Sequence, residues 1–209
     1  METLLFWCDI FGIAVFALTG ALMAGRYKLD PFGVIVLAAV TAVGGGTIRD
    51  VILQTPVFWV EDPYYLAIII VTALLAILFV RHPESIPQRF LLLSDAFGLA
   101  LFAVLGTEKA ISLGTPISVA IVMGTITGVA GGMIRDVLCN VIPMILQKEI
   151  YATAALLGGA LFAILDSFAL PDQLALIIAI LGALALRIAA IYWKVSLPAF
   201  QLIERNKPD

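Results

Sequence analysis

Long apolar runs alternate with short polar links along most of the chain. A membrane-spanning helix needs about 20 mostly apolar residues, and seven runs reach or approach that length. These runs cover residues 4–24, 32–53, 63–80, 90–110, 116–138, 151–169 and 172–193. The links between them are too short to form a further domain. The pattern therefore predicts an all-α integral membrane protein, a single membrane domain over 1–209 with seven transmembrane helices.

The sequence matches itself at an offset of 86 residues. Segment 9–20 shares seven of its twelve residues with segment 95–106. Segment 41–51 shares eight of its eleven residues with segment 127–137. Because both blocks match at the same offset, we infer an internal duplication.

Each copy of the duplicated unit holds three predicted spans, and Tyr65 and Tyr151 also match at the same offset. An odd number of spans makes the second copy enter the membrane upside down, as in the inverted repeats of many transporters. We predict a 3+3 inverted repeat, with repeat 1 over about 4–80, repeat 2 over about 90–169, and an extra helix over about 172–193.

Adjacent glycines interrupt the second and fifth spans at Gly44, Gly45 and Gly46 and at Gly131 and Gly132. Each glycine costs about 1 kcal/mol of helix propensity, and adjacent glycines are places where helices bend or open. An opened turn leaves free carbonyls, which suit a dehydrated cation. We therefore expect an ion path here, with a monovalent cation at backbone carbonyls near Gly44, Gly45 and Gly131. The alternative is close helix packing.

Two threonines precede these glycines at matching positions of the two copies, Thr41 and Thr127. We expect their hydroxyls to line the same path. The alternative is that each hydroxyl bonds its own helix backbone, as Ser and Thr often do inside membranes.

Charged side chains lie inside the predicted spans at Asp9, Arg49, Asp50, Asp95, Arg135 and Asp136. Charges in a bilayer are costly, are usually paired, and mark functional pathways. Neighbours in a helix point apart, so we expect each arginine to find its partner on another helix. Asp9 begins one span and Arg49 ends the next, which places them at similar depth. We predict Asp9–Arg49 and, by symmetry, Asp95–Arg135 ion pairs that flank the path. The alternative is that these ion pairs only hold the helices together.

Other polar residues lie nearer the span ends. We attribute Arg187 to a side chain that reaches the membrane surface, and Tyr65 and Tyr151 to anchoring at that surface. Lys109 lies near one mouth of the predicted path, where it would tune a cation current by repulsion.

Composition excludes a soluble globular class. Hydrophobic residues make up 62% of the chain, charged residues make up 13%, and the mean hydropathy is +1.10. A 209-residue soluble protein cannot hide so much apolar surface in one core.

The distribution of Lys and Arg among the links predicts the orientation. One side collects Arg26, Lys28, Arg81, Arg89, Lys148, Lys194, Arg205 and Lys207. The other side carries the acidic link 61–62, Asp166 and Asp172 and at most Lys109. Because basic links stay in the cytoplasm, the N-terminus is expected outside and the C-terminus inside.

The two glycine blocks are diagnostic: Gly-Gly-Gly-Thr-Ile-Arg-Asp-Val over 44–51 and Gly-Gly-Met-Ile-Arg-Asp-Val over 131–137. With the repeated Asp-x-Phe-Gly-x-Ala-x-Phe-Ala starts, they resemble the prokaryotic branch of the trimeric intracellular cation (TRIC) channels. The resemblance implies a homotrimer with one potassium-permeable path per protomer, at kinks in the second and fifth helices, with some sodium permeation. It also implies the plasma (inner) membrane of a bacterium or archaeon. Ala130 replaces one glycine of the second block, which implies a stiffer kink there.

We therefore expect a passive channel and no enzyme, since neither a Walker A motif nor a Ser/His/Asp arrangement is present in the sequence. The expected partners are further copies of the chain and membrane lipid, with no nucleic acid and no cofactor beyond transient potassium or sodium ions. A secondary transporter of a small amino acid such as glycine is the alternative, with helix N-termini at Thr47 and Met133 binding its carboxylate. A third possibility is a membrane protein with no path.

Overall fold

The computed structural model describes residues 2–80, 86–147, 150–168 and 170–196. Its helices are α1 (Glu2–Arg26), α2 (Pro31–Ile52), α3 (Phe58–Glu61), α4 (Tyr64–Phe79), α5 (Gln88–Ser112), α6 (Ile117–Leu138), α7 (Ala152–Ser167) and α8 (Asp172–Trp193), with a 3₁₀ turn at Met144–Leu146 between α6 and α7. Four of the basic residues used for orientation, Arg81, Lys148, Arg205 and Lys207, lie outside the described residues.

Seven of these helices form the membrane bundle, and the predicted all-α fold is confirmed. Helices α1, α2, α5, α6 and α8 are long and apolar enough to cross a bilayer. Helices α4 and α7 hold 16 residues each, which corresponds to a length of about 24 Å. These two short helices are the third membrane helix of each copy. The short helix α3 precedes α4, and the 3₁₀ turn precedes α7.

Helix α2 begins and ends at local signals. The carboxylate of Asp30 accepts a hydrogen bond from the backbone N–H of Gly33 at 2.7 Å, and Pro31 occupies the first helical turn. The chain leaves α2 through Gln54, with φ of 55°, and leaves α6 through Asn140, with φ of 56°. A left-handed residue just past a helix end turns the chain away, so both copies end their second helix in the same way.

The two copies pack against each other through reciprocal contacts. A Cβ built on Gly12 would lie 2.8 Å from the Phe102 ring, and one on Gly98 would overlap the Phe16 ring. The rings of Phe16 and Phe102 lie 5.3 Å apart between their centroids. Such i-to-j and j-to-i contacts are what a two-fold axis produces. With three membrane helices in each copy, the repeat is inverted, as predicted.

The same reciprocity governs the crossing of α2 and α6. A Cβ on Gly45 would overlap the backbone carbonyl oxygen of Thr127, and a Cβ on Gly131 would overlap that of Thr41. The two backbones therefore meet directly at the centre of the bundle, an approach that only glycine permits.

The predicted opening of these helices is wrong. Both α2 and α6 are α-helical without interruption through their glycines. An opened turn would leave backbone groups in hydrocarbon at several kcal/mol each, whereas a glycine costs about 1 kcal/mol of propensity. The helix therefore stays closed, and the glycines serve the close approach of the two backbones.

We predict that Gly45→Ala destabilises the bundle by about 1–3 kcal/mol, because the added methyl overpacks a backbone-to-backbone contact. Gly182→Ala is the matched control, since its Cβ would meet only the tip of the Leu161 side chain at 2.7 Å. Thermal unfolding in detergent measures both variants. Equal melting temperatures for Gly45→Ala and the parent would refute the role of this crossing.

Candidate ion pathway

Helices α1, α2, α5 and α6 bring the buried charges into two groups. The first charge cluster comprises Asp9, Arg49, Asp50 and Lys109, and the second charge cluster comprises Asp95, Arg135 and Asp136. The clusters are related by the two-fold symmetry of the fold, apart from Lys109. Each lies where the end of one copy's second helix faces α1 or α5.

In the second charge cluster, all three nitrogens of the Arg135 guanidinium have partners. Arg135 Nη1 lies 2.8 Å from Asp95 Oδ1 and donates to Thr19 Oγ1 at 3.2 Å. Arg135 Nη2 lies 2.9 Å from Asp136 Oδ1, and its Nε donates to the same oxygen at 3.0 Å. The Asp95–Arg135 pair expected from depth is formed, and both side chains are buried.

The first charge cluster pairs differently from the prediction. Arg49 Nε lies 2.8 Å from Asp50 Oδ1, and Lys109 Nζ lies 2.9 Å from the same oxygen. Asp9 accepts a hydrogen bond from the Tyr65 hydroxyl at 3.4 Å instead. Among the described residues, no ion pair within 4.0 Å joins Asp9 to Arg49, so that predicted pair is wrong. The depth argument still places both residues on one small cavity.

The expectation that neighbouring Arg and Asp side chains diverge is also wrong, and two short turns explain why. The backbone N–H of Phe58 donates to Asp50 Oδ2 at 3.1 Å, and that of Met144 donates to Asp136 Oδ2 at 3.2 Å. Each backbone N–H holds the carboxylate of Asp50 or Asp136 in place. The side chain of the preceding arginine then folds back and pairs with that carboxylate. Phe58 and Met144 occupy matching positions of the two copies, although their residue types differ.

The two repeat-related tyrosines are buried rather than placed at the membrane surface, which corrects the predicted anchoring role. Tyr65 reaches Asp9, as described above. A Cβ on Gly132 would lie 2.9 Å from the Tyr151 hydroxyl and 3.2 Å from Asp95 Oδ1, so hydroxyl and carboxylate border the same gap. The sequence signal for these buried positions was that both tyrosines match at the 86-residue repeat offset.

Both predicted pathway threonines bond their own helices. Thr41 Oγ1 donates to the carbonyl of Leu37 at 2.6 Å, and Thr127 Oγ1 donates to that of Met123 at 2.6 Å. Thr41 also faces Gly20 of α1, and a Cβ on that glycine would lie 2.8 Å from its hydroxyl oxygen. The geometry favours helix packing for these two side chains.

A cavity adjoins each charge cluster. The first cavity, about 10 Å³, is lined by Asp9, Ala42, Gly46, Arg49, Phe58 and Phe102. The second cavity, about 180 Å³, is lined by Thr19, Met23, Gln88, Leu91, Leu92, Arg135, Asp136, Val141, Met144 and Gln147. A single water needs roughly 10–15 Å³, so the second cavity admits several waters and the first at most one. Phe102 lines the first cavity and packs on Phe16, one helical turn from Thr19.

Arg187 of α8 does not reach the membrane surface as predicted. Its side chain is 1% exposed and donates from Nη1 to the carbonyl of Ile150 at 3.0 Å. Its guanidinium carbon lies 5.1 Å from the centre of the Tyr151 ring. The guanidinium therefore lies against a buried carbonyl and an aromatic face.

The comparisons with known proteins agree with this architecture. A family model described as "Glycine transporter" matches the chain twice, over residues 6–81 and 92–167, segments that begin 86 residues apart. The UPF0126 inner membrane protein YadS of Escherichia coli K12 is 48% identical over 206 residues, which cover 98% of this chain and 100% of that protein.

Two solved structures are similar over nearly the full length. A TRIC channel orthologue from Rhodobacter sphaeroides shares 44% identity at a TM-score of 0.87, covering 92% of this chain and 100% of that one. A prokaryotic TRIC channel in 0.5 M KCl shares 35% identity at a TM-score of 0.86, covering 93% and 98%. The chain belongs to the prokaryotic TRIC family.

Within this TRIC-family chain, the two clusters differ in charge. Lys109 binds Asp50, whereas the matching position in the other copy is Met23, which lines the second cavity. The first charge cluster therefore holds two carboxylates and two cations. The second holds two carboxylates and one cation, Arg135, so the larger cavity adjoins the more electronegative cluster and favours cations.

We predict that Asp95→Asn lowers the free energy of unfolding by about 3–5 kcal/mol, because it leaves the buried Arg135 short of a counter-charge. The repeat-related Asp9→Asn is the control and should cost at most about 1 kcal/mol, since its amide oxygen can still accept the one long hydrogen bond from Tyr65. Unfolding by denaturant in mixed micelles compares the two. Equal losses for both variants would contradict the unequal pairing of the two clusters.

Proposed function

We propose that the chain is a potassium-permeable cation channel with one path inside each protomer of a homotrimer. The observation that carries the proposal is the match, at 44% identity and a TM-score of 0.87, to a TRIC cation channel over that channel's entire length. The two charge-lined cavities support it from within the chain, because they adjoin opposite ends of the same four-helix contact.

The proposed path runs from the second cavity past Thr19 and the tilted Phe16 and Phe102 rings to the first cavity. Gly46 lines the first cavity, and Gly132 faces Asp95 and Tyr151. We therefore place the path beside these two glycines, whereas Gly45 and Gly131 belong to the crossing of α2 and α6. Apolar constrictions of this kind gate channels by excluding water, and the small first cavity admits at most one water.

We further propose that the protein lies in a bacterial inner membrane, as the name of the E. coli relative states for that protein. Arg26, Lys28, Arg89 and Lys194 support an orientation with the N-terminus outside and the C-terminus in the cytoplasm. The second cavity then opens toward the cytoplasm. The proposed partners are two further copies of the chain and the surrounding lipid. We propose no cofactor, only potassium or sodium ions that bind transiently as they pass.

Glycine transport is the rival, and it draws on the description of the matching family model. The geometry disfavours it at two points. Every nitrogen of the Arg135 guanidinium already bonds Asp95, Asp136 or Thr19, so a substrate carboxylate could bind in two-point fashion only by displacing one of these partners. The helix N-termini expected at Thr47 and Met133 are absent, because α2 and α6 continue through both positions.

Recording from purified protein in planar bilayers tests the proposal. A potassium gradient should give discrete currents that reverse close to the potassium Nernst potential and far from that of chloride. Saturable glycine uptake into proteoliposomes, together with silent bilayers, would establish the rival and refute the channel.

We predict that Lys109→Met raises potassium conductance at low ionic strength by up to about ten-fold, because it removes a cation from the first cavity's cluster. The reciprocal variant Met23→Lys should lower the conductance, since it places a cation at the second cavity. Both effects should shrink in concentrated KCl, where charges are screened. Single-channel conductance against salt concentration measures this, and a Lys109→Met effect that does not vary with salt would rule out an electrostatic cause.

A further inference from the structure

Helix α8 lies outside the duplicated unit, yet it delivers a buried arginine to the second copy. In the first copy, the Phe58 and Tyr65 rings pack edge to face, 4.8 Å between centroids at 82°. These two residues also hold the carboxylates of the first charge cluster, Phe58 through its N–H to Asp50 and Tyr65 through its hydroxyl to Asp9. The aromatic pair is therefore a brace behind that cluster.

The second copy replaces half of this brace. The residues matching Phe58 and Tyr65 are Met144 and Tyr151, so the aromatic pair becomes a thioether and a phenol. A methionine side chain is flexible and lacks the rigid face of a phenylalanine. The second copy thus needs another group to join the two positions.

Arg187 occupies the place between them. Its Nη2 lies 3.9 Å from Met144 Sδ, and its guanidinium carbon lies 5.1 Å from the Tyr151 ring centre. Its Nη1 donates to the carbonyl of Ile150 at 3.0 Å, next to Tyr151 in the chain. A planar guanidinium can make these contacts at once, because its nitrogens are spread in a rigid fork.

Two of the residues that Arg187 touches, Met144 and Tyr151, act on the second charge cluster. Met144 donates its backbone N–H to Asp136 Oδ2 at 3.2 Å. The Tyr151 hydroxyl borders Asp95 across the space left by Gly132. A shift of the segment that carries Met144 and Tyr151 therefore changes how both carboxylates meet Arg135.

We propose that Arg187 is a positioning residue for the second charge cluster, and that α8 supplies through it the brace that the second copy lacks. The consequence for ion flow rests on the proposed channel function. The consequence for local order does not, and it can be measured separately.

Hydrogen exchange of the full chain in detergent, read by mass spectrometry, tests local order. Arg187→Leu should raise exchange at least ten-fold in residues 139–147, which contain the Met144 amide, while the matching residues 53–61 of the first copy stay protected. Arg187→Lys should fall between, because one ammonium cannot reach Tyr151, Met144 and Ile150 together. Unchanged exchange in 139–147, or an equal rise in 53–61, would overturn the proposal.

A rescue variant separates positioning from a merely structural role. Adding Met144→Phe to Arg187→Leu rebuilds the aromatic pair found in the first copy, so protection of 139–147 should return. Loss of α8 packing alone would not be repaired by a change at Met144, and failure of the rescue counts against the proposal. Phe58→Met is the matched control, because the first copy has no arginine on α8 to replace its ring, and it should raise exchange in 53–61.

Potassium currents of the same variants complete the test. Arg187→Leu should lose at least ten-fold in conductance, and Arg187→Leu with Met144→Phe should recover most of it. Full current in Arg187→Leu would show that the brace does not serve the path. If the parent chain passes no current, the channel proposal fails, and the exchange measurements still decide the role of Arg187.

Discussion

Burial of the Arg135 guanidinium inside a membrane bundle is the constraint on which the rest of the structure depends. Hydrocarbon cannot solvate this charge, so the protein has to supply its counter-charges. Asp95, Asp136 and Thr19 supply those partners from α5, α6 and α1. Three helices of two different copies are thereby held at one point, and the second cavity lies against it.

The inverted repeat turns this local solution into a nearly symmetric one. Arg49 and Asp50 repeat the Arg135–Asp136 contact, and Phe58 repeats the backbone hydrogen bond of Met144. Symmetry stops at the periphery, where Lys109 enters one cluster and α8 supports the other. Two equivalent halves thus carry two inequivalent charge clusters.

Apolar run lengths and the 86-residue match were enough to predict the seven helices and their inversion, because each span carries its own signal in lipid. The identities of the buried charges were predictable for the same reason. Their partners were not. Asp9 and Arg49 have the expected depth. Arg49 pairs with Asp50 and not with Asp9 because a backbone N–H holds Asp50 in place, in a turn that no apolar pattern reveals.

The glycines were misread because helix propensity describes an isolated helix. Gly45 is instead required by the close approach of the Thr127 carbonyl on another helix. Arg187 was missed because a single arginine near a helix end has the same sequence signature whether it faces lipid headgroups or a buried ring.

The Phe16–Phe102 contact joins two residues that occupy the same position in the two copies of the repeat. In a symmetric dimer of two identical chains, one substitution at a residue on the two-fold axis would change both sides of the contact at once. Here the two rings belong to separate positions of one gene product. This contact can therefore be altered one ring at a time, so its size and its symmetry can change independently.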